Sequence, residues 1–216
     1  MVNFIPTRLL NKYAARGLDA LYPPRCRLCG APGAAGLELC GPCRAELPWN
    51  TPACPACALP RDSRPCPCAG WAWPFTRATA PLLYEGPVAG LITAFKSRGR
   101  LADGRLLGGL LGEAAAAGGA PLPEALVPVP LHPRRLRERG FEQTGELIRA
   151  ARGALPRSVP ALPLLRRARD TGRQAALPAG RRRANLRGAF AAPRRPPAHV
   201  ALVDDVVTTG DRKSVV

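Results

Sequence analysis

Two adjacent carboxylates near the end of the chain offer the clearest chemistry in the sequence. Asp204 and Asp205 follow the apolar run 200–203 and precede the hydroxyl and glycine residues 208–210. The apolar run predicts a short buried strand, and ligands of an open α/β sheet lie beyond the carboxyl ends of its strands. Backbone N–H groups of small residues can surround a phosphate, and two carboxylates can accept hydrogen bonds from two sugar hydroxyls. The pattern therefore favours a ribose phosphate as ligand.

Eight cysteines form a second group with a clear chemical use. Two CxxC pairs separated by ten residues match a four-thiolate zinc site, because one tight turn presents both sulfurs of a pair. We expect left-handed backbone at Gly30 and Gly41, which follow cysteines of these turns. Free buried thiols, redox pairs and either order of ligand pairing stay open. The predicted ligands of two structural Zn²⁺ ions are Cys26, Cys29, Cys40 and Cys43, and Cys54, Cys57, Cys66 and Cys68.

The charge of the chain is strongly basic. Its net charge is +17, and residues 126–200 alone carry 17 basic and 4 acidic side chains. Such a field attracts phosphate-rich small molecules or nucleic acid, although a solvated Arg-rich surface has the same composition. No run reaches the roughly 18 apolar residues of a membrane helix, and Met1–Leu10 lacks a signal-peptide core. We therefore expect a cytoplasmic protein, in which reduced thiols favour metal over disulfides.

The spacing of apolar residues predicts the elements that position these groups. We expect an amphipathic helix within residues 1–24, a zinc-binding domain over 25–77 and a larger domain over 78–216. The larger domain should begin with a strand over 79–84. Two helices should follow, the first burying Val88, Leu91, Ile92 and Phe95 and the second running from about Leu101 to Ala117.

The segment 118–123 should end the second of these helices, because it is rich in glycine and proline. A strand that includes Val127 should then end in a proline-containing loop, since proline cannot donate to a sheet. Another helix should run from near Phe141 to about Arg152.

Several motifs together resemble a known family. Residues 203–210, VDDVVTTG, resemble the diphosphoribose-binding signature of type I phosphoribosyltransferases. The ComF-like branch of these proteins is indicated by residues 21–26, 127–135, 139–143, 169–174 and 185–190. The cysteine block is similar to the double zinc ribbon of ComF-like proteins. The resemblance extends to Gly210 and implies an α/β fold, with a small zinc-ribbon domain before a parallel sheet flanked by helices.

The resemblance also implies a reaction, in which a nitrogen nucleophile displaces diphosphate from phosphoribosyl diphosphate with Mg²⁺ as cofactor. The implied ribose and 5′-phosphate site consists of Asp204, Asp205, Val207, Thr208, Thr209, Gly210 and Asp211. The implied diphosphate site consists of Leu131, His132, Arg134 and Arg135. A structural role in the turn is an equal alternative for His132.

No residue is indicated as a dedicated acid or base. The resemblance implies a catalytic loop over residues 166–187 that contains Arg166, Arg167, Arg169 and Arg173. A disordered basic segment that holds nucleic-acid phosphates fits its composition equally well. Glu142 stands where the family often has Asn, and its carboxylate would repel a diphosphate unless a metal intervened.

The last residues depart from the family pattern. After Gly210 the family has a small residue, a hydroxyl residue and an apolar helix, whereas this sequence continues as DRKSVV. We therefore expect a domain truncated at its C-terminus, without the helix that would complete a phosphate site and with an exposed sheet edge. Whether it catalyses the transfer is correspondingly open.

The resemblance implies an association with DNA uptake and natural competence, with helicase-like and recombination proteins as partners. Our first hypothesis is an enzyme that binds phosphoribosyl diphosphate. The alternative is a non-catalytic accessory protein that binds single-stranded DNA or a protein, and a third is a regulator that binds the ligand without turnover. Trp49, Trp71 and Trp73 could stack on unpaired bases, although packing over a zinc site or a domain junction is the commoner role.

Overall fold

The computed structural model describes residues 23–34, 36–61, 66, 68, 75–170, 188–208 and 214–215. By its contacts the chain divides into two compact units, Met1–Leu47 and Pro48–Val216. Trp71, Trp73, Arg173, Thr209, Gly210 and Asp211 lie outside the described residues, as do the predicted N-terminal helix and most of the segment 166–187. The domain boundaries at residues 25 and 78 stay predictions.

The smaller unit consists of turns and one short helix. An antiparallel bridge joins Arg25 to Pro32, and helix α1 runs over Gly41–Ala45. Proline in the first turn of α1 fixes a helical φ and lacks an N–H group that would have no helical acceptor there. These elements carry four of the cysteines.

Two helices open the ordered core of the larger unit. Helix α2 spans Gly86–Arg98 and helix α3 spans Leu101–Ala117, which confirms both predicted helices. The buried face of α2 is the predicted one, with the addition of Ala94: Val88, Leu91, Ile92, Ala94 and Phe95. The predicted break over 118–123 is also confirmed, because no helix or strand resumes before residue 125.

A small parallel sheet lies at the centre of the larger unit. Strand β1, Ala125–Pro128, pairs in parallel with strand β4, Val200–Val203, and Ala125 lies opposite Val200. The pairing extends past β1, because the Val129 N–H group donates to the Val203 carbonyl oxygen at 3.0 Å. The described residues thus form a mixed α/β fold, as predicted.

The two edges of this sheet differ. On the outer side of β1, the Leu126 N–H group donates to the Pro160 carbonyl oxygen, and Leu162 donates back to Leu126, both at 2.9 Å. Among the described residues no strand pairs with the other edge of β4. Leu202 of β4 is 62% exposed, so the apolar strand is only partly covered.

Two further helices follow β1. Helix α4 spans Pro133–Arg139, and helix α5 spans Gln143–Ala154 and matches the last predicted helix. Helix α4 replaces part of a predicted loop. Its sequence suits a helix, because a proline stands in its first turn and Glu138 pairs with Arg134 and Arg135 one turn earlier.

Short two-residue strands complete the larger unit. Strand β2, Arg166–Arg167, pairs antiparallel with β3, Phe190–Ala191, and β5, Val207–Thr208, pairs antiparallel with β6, Ser214–Val215. The strand predicted over 79–84 is wrong as an extended element, because its pairing is limited to bridge residues, among them Leu82 opposite Trp49. In the described ranges, none of the helices combines the length and apolar character that a bilayer crossing requires.

Helices α3 and α5 pack closely because two glycines of α3 lie directly against the backbone of α5. A methyl group at Gly112 would collide with the backbone oxygen of Ala151, and one at Gly108 would lie 2.5 Å from that of Leu147. Glycine at these positions therefore permits a close helix approach that alanine would prevent. Because the hydroxyl of Thr144, in the first turn of α5, donates to the carbonyl oxygen of Val129 just beyond β1, this packing also fixes the helix beside the end of that strand.

We expect Gly112→Ala to destabilise the protein by roughly 1–3 kcal/mol, because overpacking against backbone cannot be relieved by a rotamer change. Gly90→Ala in α2 is the matched control, since its new methyl group would meet nothing within 4 Å. That control should stabilise by roughly 0.5–1 kcal/mol. Chemical denaturation followed by circular dichroism measures both, and equal effects of the two substitutions would contradict the close packing.

Candidate functional site

The two predicted zinc quartets each come together in space. In the first quartet (Cys26, Cys29, Cys40, Cys43) and the second quartet (Cys54, Cys57, Cys66, Cys68), all four Sγ atoms lie within 4.8 Å of one another. The Cys29 and Cys40 sulfurs are 3.6 Å apart, and those of Cys57 and Cys66 are 3.4 Å apart. A tetrahedral zinc ion with bonds of about 2.3 Å separates its sulfurs by roughly 3.8 Å. Both quartets therefore fit structural zinc.

The first quartet begins with a tight turn. The Cys26 N–H group donates to the Ala31 carbonyl oxygen at 2.7 Å, and Gly30 N–H donates to the Cys26 carbonyl oxygen at 2.9 Å. Gly30 has a φ of 79°, which confirms the predicted left-handed conformation. The same prediction is wrong for Gly41, because Gly41 is the first residue of α1 and has ordinary helical backbone.

The second quartet repeats this turn with different residues. Cys54 N–H donates to the Leu59 carbonyl oxygen and Ala58 N–H donates to the Cys54 carbonyl oxygen, both at 2.8 Å. Ala58 has a φ of 58° and occupies the place of Gly30 in the first turn. An L-residue with a side chain pays roughly 1–2 kcal/mol for this conformation. Its buried methyl group, packed in a small cluster with Ala80, offsets part of that cost.

Backbone donors favour the thiolate form of the first cysteine in each quartet. Burial opposes ionisation of Cys26, but N–H groups, that of Cys40 foremost, donate to its sulfur and lower its pKa to about 6. Burial also opposes ionisation of Cys54, and N–H groups led by that of Cys57 lower its pKa to about 6. Zinc binds thiolates, so these donors prepare both quartets for the metal.

Asn50 connects the second quartet to the rest of the larger unit. Its buried side-chain Nδ2 donates to the carbonyl oxygen of Ala58 at 2.7 Å and to that of Ala80 at 2.8 Å. Ala80 belongs to the segment that leads into α2. No spacing or motif marks Asn50 in the sequence, and sequence reasoning missed it for that reason.

The acidic pair lies just beyond the carboxyl end of β4, where the sequence places it. Asp205 Oδ1 is 2.8 Å from Nζ of Lys96 on α2. The Asp205 N–H group donates to Asp204 Oδ1 at 2.8 Å. The Lys96 and Asp205 side chains are 25% and 15% exposed, so this ion pair is partly shielded from water.

Asp204 titrates unlike an ordinary surface aspartate. The residue has an exposed surface, yet protein atoms crowd its carboxyl group. This desolvation, and then the charge of Asp205, raise the pKa of Asp204 from its ordinary value of 3.8 to about 7. The positive charges of Lys96 and Arg167 act in the opposite direction. The site therefore holds one paired carboxylate and one that ionises near neutral pH.

The β2–β3 ribbon supplies the nearby Arg167. Its guanidinium carbon lies 5.3 Å from the centroid of the Phe190 ring, within the range of a cation–π contact. Arg166 and Arg169, from the same predicted loop, are exposed. The structure thus places Arg167 toward the acidic pair, whereas the other two described arginines of the loop are exposed.

The predicted diphosphate residues lie at the start of α4. His132 caps this helix, because its Nδ1 accepts from the Arg134 N–H group at 3.3 Å. Since that nitrogen is an acceptor, its 3.9 Å approach to Asp170 is not an ion pair. The side chain of Arg134 is 69% exposed, and its Nε donates to Glu138. Arg135 also donates to Glu138, through its guanidinium Nη1. Leu131 is half-buried. The contact with the Arg134 N–H group gives His132 a structural role at the turn, and its role in binding diphosphate stays a prediction.

Glu142 also has a structural partner. It caps α5, because its Oε2 accepts from the Gly145 N–H group at 3.0 Å. The Thr144 hydroxyl lies within hydrogen-bond distance of both Glu142 oxygens and of the Val129 carbonyl oxygen. A carboxylate is favourable at a helix N-terminus, which accounts for Glu142 without a ligand.

The remaining ribose-phosphate residues begin with β5. Val207 and Thr208 pair antiparallel with Val215 and Ser214, so these two residues lie in a strand. A phosphate loop would need backbone N–H groups that converge on one point, which paired strand residues do not provide by themselves. The phosphate-binding role of residues 207–211 stays a prediction.

Comparison with known proteins identifies the family. A model of the double zinc ribbon domain matches residues 17–70, which include both quartets. The DNA utilization protein YhgH of Salmonella typhi and that of Escherichia coli (strain K12) are each 32% identical over 197 residues, covering 87% of this chain and 86% of the relative. The chain belongs to the ComF-like family.

Competence protein F of Haemophilus influenzae is also similar, at 32% identity over 180 residues, covering 79% of this chain and 73% of that protein. No solved structure matches the chain. In this ComF-like protein Lys96 and Phe190 contribute to the site although neither was predicted as a site residue. Both residues belong to segments that resemble the family, Phe190 to residues 185–190 and Lys96 to the basic link 96–100, but the contact of Lys96 with Asp205 joins distant parts of the sequence and was not predicted.

We expect full-length protein to bind two zinc ions and Cys54→Ser to bind one, because a three-thiolate quartet loses much of its affinity. Cys26→Ser should likewise remove one ion. Elemental analysis of purified protein by mass spectrometry measures the stoichiometry. Retention of two ions by either variant would contradict the assignment of its quartet.

We expect Asp204→Asn to gain stability over the original protein as pH rises from about 4 to 7. The folded pKa of Asp204 is raised to about 7, so its ionisation opposes folding increasingly through this window, and the asparagine variant lacks that penalty. Urea denaturation at several pH values measures the difference, which should level off above pH 7. Parallel stability profiles would contradict the raised pKa.

Proposed function

We propose that this ComF-like protein binds phosphoribosyl diphosphate with Mg²⁺ at the carboxyl edge of the β1–β4 sheet. One observation carries the proposal: the ends of two adjacent parallel strands lie side by side, since Val129 N–H donates to the Val203 carbonyl oxygen. The acidic pair follows one strand, and the basic start of α4 follows the other. A ligand with ribose hydroxyls and phosphates has complementary groups for both.

The donor set at this edge suits the two ends of such a ligand. Carboxylates of Asp204 and Asp205 can hold ribose hydroxyls or Mg²⁺, which prefers oxygen ligands. Arg134 and Arg135 can turn from Glu138 toward a diphosphate, because surface ion pairs are weak and a planar guanidinium fits phosphate oxygens. Arg167 would add a third positive charge from the ribbon.

Catalysis of phosphoribosyl transfer to a nitrogen acceptor is the finer part of the proposal. The positive charges at the site would stabilise the negative charge of the departing diphosphate. Mg²⁺ would supply a Lewis acid when bound with the ligand. Zinc would have a structural role and would take no part in this reaction. A chain that binds the ligand without turnover would instead be a regulator.

A role in DNA uptake or utilization, in the cytoplasm, is proposed from the relatives, whose names are DNA utilization protein and competence protein F. The exposed Arg166 and Arg169 and the 17 basic side chains of residues 126–200 support a second candidate function, which is direct binding of single-stranded DNA. Helicase-like and recombination proteins are the protein partners proposed with this role.

Calorimetric titration of zinc-loaded full-length protein with phosphoribosyl diphosphate and Mg²⁺ tests the first function. We expect binding that Asp204→Asn with Asp205→Asn reduces on the order of 100-fold, because both charges of the acidic pair are lost. Glu124→Gln is the matched control, since this carboxylate precedes β1 at the opposite end of the strand and accepts from His199 N–H.

Single-stranded DNA added as a competitor separates the two functions. If it displaces phosphoribosyl diphosphate, both ligands use the same edge; independent binding with steep salt dependence places DNA elsewhere on the basic surface. Absence of any heat with phosphoribosyl diphosphate, together with salt-sensitive DNA binding, would replace the first function by the second.

A further inference from the structure

The two carboxylates of the acidic pair have different surroundings. Asp205 is largely shielded and forms an ion pair with Lys96, whereas Asp204 has an exposed surface and no ion pair among the described contacts. The Asp205 N–H group donates to Asp204 Oδ1, so the position of Asp204 depends on that of its neighbour. The pair is therefore asymmetric before any ligand binds.

Lys96 is held firmly on its own side of this contact. It lies in the last turn of α2, directly after Phe95, which is fully buried in the core of the larger unit. Ala94, on the other side of Phe95, is buried as well. The lysine therefore projects from a fixed helix, and a partly buried ion pair to a fixed partner orients a carboxylate more strongly than an exposed pair does.

We infer that Lys96 is a positioning residue for the proposed ligand and that the two aspartates of the acidic pair have different roles. Asp205 is the anchor, neutralised and oriented by Lys96. Asp204 is the carboxylate that contacts the ribose hydroxyls or Mg²⁺. This inference rests on the proposed function and assigns separate roles to two residues that the sequence pattern treats alike.

The ion pair of Lys96 with Asp205 reduces the negative charge that the acidic pair presents to an anionic ligand. Two ionised carboxylates beside a diphosphate repel it, and a cation must balance them. Lys96 supplies one fixed positive charge at Asp205 Oδ1, so Mg²⁺ has to balance only the rest. Without Lys96, binding of the anionic ligand should require more Mg²⁺.

Titration with phosphoribosyl diphosphate at several Mg²⁺ concentrations tests the inference. We expect Lys96→Met to raise Kd on the order of ten-fold at low Mg²⁺, with most of this loss recovered at saturating Mg²⁺. Lys96→Arg should restore binding at low Mg²⁺, because it retains the charge. Arg98→Met removes a charge from the same helix, at an exposed residue for which the described contacts show no ion pair, and should leave Kd within about two-fold.

The different roles of Asp204 and Asp205 can be tested by the ligand affinities of double variants. Asp205→Asn combined with Lys96→Met should lose no more affinity than either change alone, since both act through one contact. Asp204→Asn combined with Lys96→Met should lose more than either. Additive losses in the first combination, or an equal loss for Lys96→Met at all Mg²⁺ concentrations, would overturn the inference.

Folding stability distinguishes failure of this inference from failure of the proposed function. A double-mutant cycle between Lys96→Met and Asp205→Asn in urea denaturation needs no ligand and should show coupling between the two residues. Lys96→Gln can replace the methionine variant if the latter does not fold. Coupling without any binding of phosphoribosyl diphosphate would overturn the proposed function and, with it, the positioning role, while the ion pair itself would stand.

Discussion

The parallel pairing of β1 with β4 is the constraint on which the candidate site depends. Parallel strands place their carboxyl ends at one edge, so groups that follow Pro128 and Val203 must meet there although they are far apart in sequence. Backbone hydrogen bonds fix this register one residue beyond β1, up to Val129. A slip of β4 by one residue would exchange its buried and exposed positions and turn Val203 outward in place of Leu202. The sheet therefore determines where the proposed ligand would bind, and the elements around it determine the charge of that edge.

Charge reaches this edge from three separate elements. Helix α2 contributes Lys96, the β2–β3 ribbon contributes Arg167, and the start of α4 contributes two arginines. Each is positioned in a different way. Lys96 projects from a helix with a buried face, Arg167 lies over the Phe190 ring, and the two arginines of α4 pair with Glu138. The zinc quartets stabilise the chain by another means, since a cysteine-rich segment with few large apolar residues gains its folding energy from metal.

Sequence periodicity and spacing predicted the elements best where local rules decide them. Helices α2, α3 and α5, strand β4 and both quartets follow from apolar spacing, proline and CxxC patterns. Helix α4 was missed because its pattern is charged on all sides, and its stability comes from capping by His132 and pairs to Glu138. The contacts of Lys96 and Asn50 were not predictable, because tertiary packing creates them.

Hydrogen–deuterium exchange of zinc-loaded protein, with and without phosphoribosyl diphosphate and Mg²⁺, tests the central claim most directly, since it shows both whether the ligand binds and where. The account predicts slower exchange at residues 129–135 and 203–208, which follow β1 and β4, and little change around the first quartet. Unchanged exchange at both strand ends, or protection confined to other parts of the chain, would contradict a ligand site at the carboxyl edge of the sheet.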